Sequence, residues 1–193
     1  MKIIGITGGV GSGKSQVLHF LKEKYKARIV KLDEVAKQLQ QYKGECYDEI
    51  VTVFGKEILQ EDLELNRVKL ADIVFSDGDK LKILNAIVHP KVKNWILEDI
   101  LKEKDKGTAL YVMESALLFE ESYDKLCDEV WYIYAEESVR IKRLKETRGY
   151  SKARILKIME NQNTEETFCE KCNYKIDNSG LFENTEKQIG ERL

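Results

Sequence analysis

Apolar residues fall along this chain in two alternating patterns. Short continuous runs, Ile3-Ile4-Gly5-Ile6, Ile29-Val30 with Leu32, Ala109 to Met113, Glu129 to Tyr134 and Tyr174 to Asp177, read as strands. The runs at 109–113 and 129–134 are almost wholly apolar, as a parallel sheet covered on both faces requires. Between the runs the spacing turns helical. Val17, Leu18, Leu21 and Tyr25 share one face, and a further helix is expected from Glu34 to about Gln41. Tyr47, Ile50, Val51 and Phe54 repeat the i, i+3, i+4, i+7 pattern, as do Leu70, Ile73 and Val74, then Leu81, Leu84 and Val88. Pro90 fits the first turn of another helix carrying Val92, Ile96 and Ile100. A last helix is marked by Phe182, Ile189 and Leu193. The pattern predicts a three-layer α/β/α fold on a five-stranded parallel sheet in a single domain. Its core comprises 1–43, 105–137 and 170–193, with a helical insert at 44–104 and a helical lid at 138–169.

The turn between the first strand and the first helix is Gly8-Gly9-Val10-Gly11-Ser12-Gly13-Lys14-Ser15. It satisfies G-x-x-x-x-G-K-[ST] in full and in the right context, strand before and helix after. Glycines allow backbone N–H groups to approach phosphates, and the helix start adds partial positive charge. Lys14 is placed to reach the β- and γ-phosphates and Ser15 to ligate Mg²⁺. This makes the fold a P-loop NTPase that binds a nucleoside triphosphate.

Composition narrows the partners. Of 193 residues, 42% are apolar, enough for a real core. Charged residues make up 34%, but the signs nearly cancel to a net charge of −2, so no basic excess argues for nucleic acid. The first residues are a core strand running into the glycine loop, neither signal peptide nor membrane span, and a cytoplasmic protein is expected. Cys46, Cys127, Cys169 and Cys172 form no disulfide framework; Cys169-Glu170-Lys171-Cys172 lacks the second pair that a zinc site needs. Oligomeric state and protein partners are left open.

Several absences sort the possible chemistries. No Asn-Lys-x-Asp base-reading motif is present, and Asp177-Asn178-Ser179-Gly180 lies too near the C-terminus for a GTPase switch. Size, helical insert and a basic segment after strand four suggest a small-molecule kinase whose insert holds the acceptor. Asp33 follows strand two directly, either as an N-cap or as a carboxylate at the ligand-binding sheet edge. It is the candidate base. Glu114, ending strand three, is the alternative, or holds Mg²⁺-bound water. Arg140, Arg143 and Arg148 crowd the lid, with the first two on one helix face.

These motifs resemble the dephospho-coenzyme A kinase family from first strand to last helix. Beyond the phosphate loop, the likeness rests on Asn66-Arg67, on Leu84-Asn85-Ala86-Ile87-Val88-His89-Pro90 and on Glu114-Ser115-Ala116-Leu117-Leu118-Phe119-Glu120. It rests also on Arg143-Leu144 with Arg148, and on Ile176-Asp177-Asn178-Ser179-Gly180. The resemblance implies transfer of the ATP γ-phosphoryl group to the ribose 3′-hydroxyl of dephospho-coenzyme A. Lys14, Asp33 and Arg143 would then be catalytic. Gly9, Gly11, Ser12, Gly13, Lys14, Ser15, Gln16, Arg148 and Asn178 would bind ATP, with Asn178 near the purine. Asp33, Arg67, His89, Leu117 and Leu118 would meet the acceptor. The sequence departs from the family at Ala116, usually proline, at Ile158, usually arginine, and at Lys31, where some members carry an acid. Arg154, one turn before Ile158, is placed to compensate if the lid helix is continuous. Two other readings stay open: a nucleoside or nucleotide kinase of like architecture, and a non-catalytic ATP-binding module.

Overall fold

The computed structural model describes residues 1–193. Its elements are β1 (Lys2–Thr7), α1 (Lys14–Tyr25), β2 (Arg28–Lys31), α2 (Leu32–Leu39), α3 (Tyr47–Phe54), α4 (Arg67–Phe75), α5 (Gly78–Asp105), β3 (Leu110–Glu114), β4 (Glu129–Tyr134), α6 (Glu137–Arg148), α7 (Lys152–Glu160), α8 (Glu165–Lys171), β5 (Tyr174–Asp177) and α9 (Phe182–Gly190). Short 3-10 turns occupy Lys56–Ile58 and Tyr123–Leu126. The chain forms two compact units, Met1–Ile29 with Gly107–Leu193, and Val30–Lys106.

The first unit is built on the sheet, whose strand order is β2-β3-β1-β4-β5. β1 pairs in parallel with β3 and β4, and β4 with β5. Alternation along the strands sorts their side chains by face. Ile4, Ile6, Leu110, Val112, Trp131, Ile133 and Ile176 join Val17, Leu18 and Leu21 of α1 and Ile189 of α9 in one buried cluster. Each fully buried Ile or Leu contributes about 1.5–3 kcal/mol. From α8, Phe168 stacks on Tyr132 of β4 with centroids 4.5 Å apart. The register Ile6↔Glu114 brings Glu114 level with the end of β1, where the phosphate loop begins. The closing helix stops at Gly190, so Leu193 lies beyond it.

The second unit takes up the end of β2 and α2 as well as the helical block. Here α2 and α4 both pack on α5. The spine of α5 is Val88, Val92, Ile96 and Ile100, all buried and spaced four apart. That stripe explains a difference from expectation. Pro90 does not open a new helix; it lies inside a single helix of 28 residues. Proline costs the helix its bond to the Ala86 carbonyl, yet the buried stripe continues on both sides and holds the helix together. α2 likewise begins earlier than Glu34. Leu32 is its first residue and is buried with Val35 and Leu39, while Lys31 is the extended N-cap. Asp33 is therefore not a cap but sits in the first helical turn, where a carboxylate complements the helix dipole. No helix is long and apolar enough to cross a membrane.

Candidate active site

The phosphate loop runs from Gly8 to Gly13, between the end of β1 and the start of α1. Gly13, the N-cap of α1, has φ +90°, a conformation that favours glycine. It is also crowded, since a Cβ there would lie 2.2 Å from Asn178 Nδ2. Gly9 leaves room for the Arg140 guanidinium: a Cβ would fall 2.4 Å from one of its nitrogens and displace that end of the side chain.

Side chains from distant points of the chain hold this loop. Lys14 Nζ donates to the Gly8 carbonyl at 2.7 Å and lies 3.8 Å from Glu114 Oε1, both side chains being mostly buried. Asn178 Nδ2 donates to the Ser12 carbonyl at 2.8 Å. Arg143 donates to the same carbonyl at 3.3 Å and to Asn178 O at 2.9 Å. Arg140 Nε donates to Val10 O at 2.9 Å. Gln162 Oε1 accepts from Val10 N at 3.0 Å and from Arg140 at 3.0 Å. Burial lowers the pKa of Arg140, with Tyr132 and Glu137 opposing that shift; an arginine stays charged nonetheless. Ser12 Oγ is buried and has no hydrogen-bond partner in the protein. An unpaired buried hydroxyl costs about 1–3 kcal/mol, and a phosphate oxygen is the acceptor that this loop chemistry would supply to it.

Some expected site residues are placed differently. Asn178 is fully buried, its carboxamide engaged by Ser12 O at one end and by the Thr185 hydroxyl, 3.0 Å away, at the other. With a partner at each end, this side chain braces the loop from a fully buried position. Arg143 donates to backbone carbonyls of the loop and of Asn178, and so braces the loop as well. Leu118 is fully buried and packs toward Gly5 of β1, so it is core; Leu117 beside it is exposed. Leu117 lines a cleft of about 200 Å³ with Gly8, Ala116, Glu120, Gln162 and Phe168. The turn there does not need proline at 116, because Ser115 Oγ accepts from Leu117 N at 3.0 Å. Ser15 and Gln16 are exposed on the first turn of α1.

In the lid, α6 ends at Arg148 and α7 restarts at Lys152, so the segment is broken at Gly149. Arg154 and Ile158 share α7, but the Arg154 guanidinium stacks 4.1 Å from the Tyr150 ring and Arg148 lies 5.9 Å from the same ring. Gln162, which reaches the loop, stands four residues after Ile158 in the lid pattern, and sequence reasoning assigned it no role. In the second unit, Asp33 is exposed in α2 and His89 is half-buried within α5. Asn66 caps α4 by accepting from Lys69 N, and Arg67 donates to Lys37 O at 3.1 Å, satisfying a carbonyl of the last turn of α2.

No group of three or more His, Cys, Asp or Glu side chains is arranged to hold a metal. Mg²⁺ that arrives with a nucleotide takes one or two protein oxygens and completes its shell with phosphates and water. A hydroxyl at Ser15 and a carboxylate at Glu114 are of the right type.

A parallel sheet, a glycine loop opening α1, a Lys–Glu pair at its root and arginine-bearing helices after β4 together define a P-loop kinase. Known proteins narrow this class. A family model described as dephospho-CoA kinase matches residues 2–184. A curated relative named dephospho-CoA kinase, from Carboxydothermus hydrogenoformans, is 37% identical over 189 residues, covering 98% of this chain and 91% of its own. The crystal structure of TT1252 from Thermus thermophilus superposes with TM-score 0.84 at 29% identity, covering 99% of this chain and 95% of that one. A dephospho-CoA kinase structure from Campylobacter jejuni has TM-score 0.72 at 23% identity, covering 100% of this chain and 98% of that one, and shares the fold. The chain belongs to the dephospho-CoA kinase family.

Proposed function

We propose that this enzyme transfers the γ-phosphoryl group of ATP to the ribose 3′-hydroxyl of dephospho-CoA, giving CoA and ADP. The observation that carries this reading is the Lys14–Glu114 pair at the root of a braced phosphate loop, in a chain whose residues 2–184 match the family. Lys14 and the loop N–H groups orient the triphosphate and spread its charge. Ser12 donates its otherwise unpartnered hydroxyl to a phosphate oxygen. Mg²⁺, held by Ser15 and through water by Glu114, would supply further charge neutralisation on the phosphates. Asp33 orients the acceptor hydroxyl and takes its proton. Arg67 and His89 contribute to acceptor binding, with Leu117 offering an apolar contact. Gln16 and Arg148 meet the nucleotide. A chemistry that consumes ATP favours a cytoplasmic setting.

Incubating the protein with Mg-ATP and dephospho-CoA, AMP, CMP or adenosine tests this reading. A phosphorylated product of the CoA mass from dephospho-CoA alone is expected. Preferential modification of another acceptor would replace the reading with a nucleoside or nucleotide kinase. ATP binding without transfer to any acceptor would favour a non-catalytic module.

A further inference from the structure

The Val10 peptide, at the crest of the phosphate loop, is held on both sides by the segment that follows β4. Its N–H donates to Gln162 Oε1 at 3.0 Å and its carbonyl accepts from Arg140 Nε at 2.9 Å. A third bond closes the ring, because another Arg140 nitrogen donates to the same Gln162 oxygen at 3.0 Å. Both partners of that oxygen can only donate, which settles which end of the amide faces the loop. The ring needs Gly9, since any side chain there would occupy the space of the Arg140 guanidinium.

Gln162 lies in the connection between α7 and α8, where its neighbours are tied elsewhere. Asn161 donates back to Lys157 O at 2.8 Å, Asn163 donates to Glu120 at 2.9 Å, and Thr164 caps α8 through Thr167 N. The cleft beside Gly8 is lined by this connection on one side and by Ala116 to Glu120 on the other. A movement of the α7–α8 segment is therefore transmitted to Val10 through a single amide.

We propose that Gln162 is a positioning residue for phosphoryl transfer: with Arg140 it clamps the Val10 peptide and couples the lid segment to the shape of the phosphate loop. The proposal rests on the loop being the ATP site. Without the clamp, the Val10 amide is free to turn, and the loop loses part of its fixed array of donors before any nucleotide arrives.

The test uses Gln162→Asn, too short to reach both donors, and Gln162→Leu, of similar size with no acceptor, in the full-length enzyme assayed with ATP and dephospho-CoA. Both are expected to raise KM for ATP about tenfold. KM for dephospho-CoA should stay within about twofold and the thermal midpoint of Gln162→Asn should be nearly unchanged. Amide exchange at Val10 should quicken in both variants. Arg140→Lys, which cannot reach Val10 O and Gln162 together, should add little to the ATP effect of Gln162→Asn, as members of one ring do. Unchanged KM for ATP would overturn the proposal. So would fully multiplicative effects of Arg140→Lys and Gln162→Asn, or a loss of thermal stability with both KM values rising together. The wild-type acceptor assay fails separately if the reading of the reaction is wrong.

Discussion

Around the phosphate loop, Glu114, Arg140, Arg143, Gln162 and Asn178 converge from four later parts of the chain and fix Lys14 and the loop backbone by hydrogen bonds or charge. The candidate acceptor residues of the helical unit are set differently. Asp33 and Arg67 stand exposed in the first turns of α2 and α4, positioned by their helices. The contrast follows the chemistry. A triphosphate reacts only when held in a pre-arranged field, so the donor half carries its order within the protein. An acceptor that is itself large and polar supplies many of its own contacts, so its half can present side chains at helix starts.

The comparison breaks most visibly at Lys14. Lys14→Ala removes the charge at the centre of the braced half, and kcat/KM should fall by about a thousandfold. Retention of the rate in a steady-state assay would mean that the loop is not the donor site. Asp33→Asn comes next and should act on the other half alone. Turnover is expected to fall about a hundredfold while ATP affinity, measured by calorimetry, stays within about twofold. A weakened ATP affinity with normal kcat would take Asp33 out of the acceptor role.

A smaller effect sharpens the idea that order at the loop is structural. Asn178→Ala deletes a fully buried carboxamide and leaves Ser12 O and the Thr185 hydroxyl without it. It should cost about 2 kcal/mol of stability and weaken ATP binding, with dephospho-CoA KM little changed. Denaturant unfolding beside ATP titration checks this. A stable variant with only a changed preference between ATP and GTP would place Asn178 at the purine instead.

This division also marks what could be read in advance. Strands at 110–114 and 129–134 and the phosphate loop were legible because continuous apolar runs and a glycine motif are local signals. Pro90 misled because its local tendency to start a helix was outweighed by the buried stripe Val88, Val92, Ile96, Ile100. The resemblance singled out Asn178, Arg143 and Leu118, while their contacts with the loop carbonyls and the core appear only in the fold. Whether a side chain faces a ligand or a backbone carbonyl depends on packing across more than a hundred residues, as with Asn178 and Ser12. Gln162, four residues after Ile158 in the lid pattern, could be located but not given a role for the same reason: its partner Val10 is 152 positions away.

The smallest effect concerns the thiols, which probe each half without touching the chemistry. Cys169 is exposed, whereas Cys46 of the helical unit is fully buried. Burial pushes the Cys127 and Cys172 thiols from 9.0 up to about 12, which lowers their thiolate population near neutral pH by about a thousandfold. Iodoacetamide at pH 8 should therefore modify Cys169 first, as peptide mass mapping would show. Cys46 should react only through opening of the helical unit, so its rate measures that opening. The sign of the pH effect is fixed by the same shifts. A folded-state pKa above the unfolded one favours folding fully below pH 9, and this contribution is lost as pH rises from about 9 toward about 12. Unfolding midpoints should fall across that window. Faster labelling of Cys127 than of Cys46 at pH 8 would show that the sheet unit is the looser of the two, reversing the comparison.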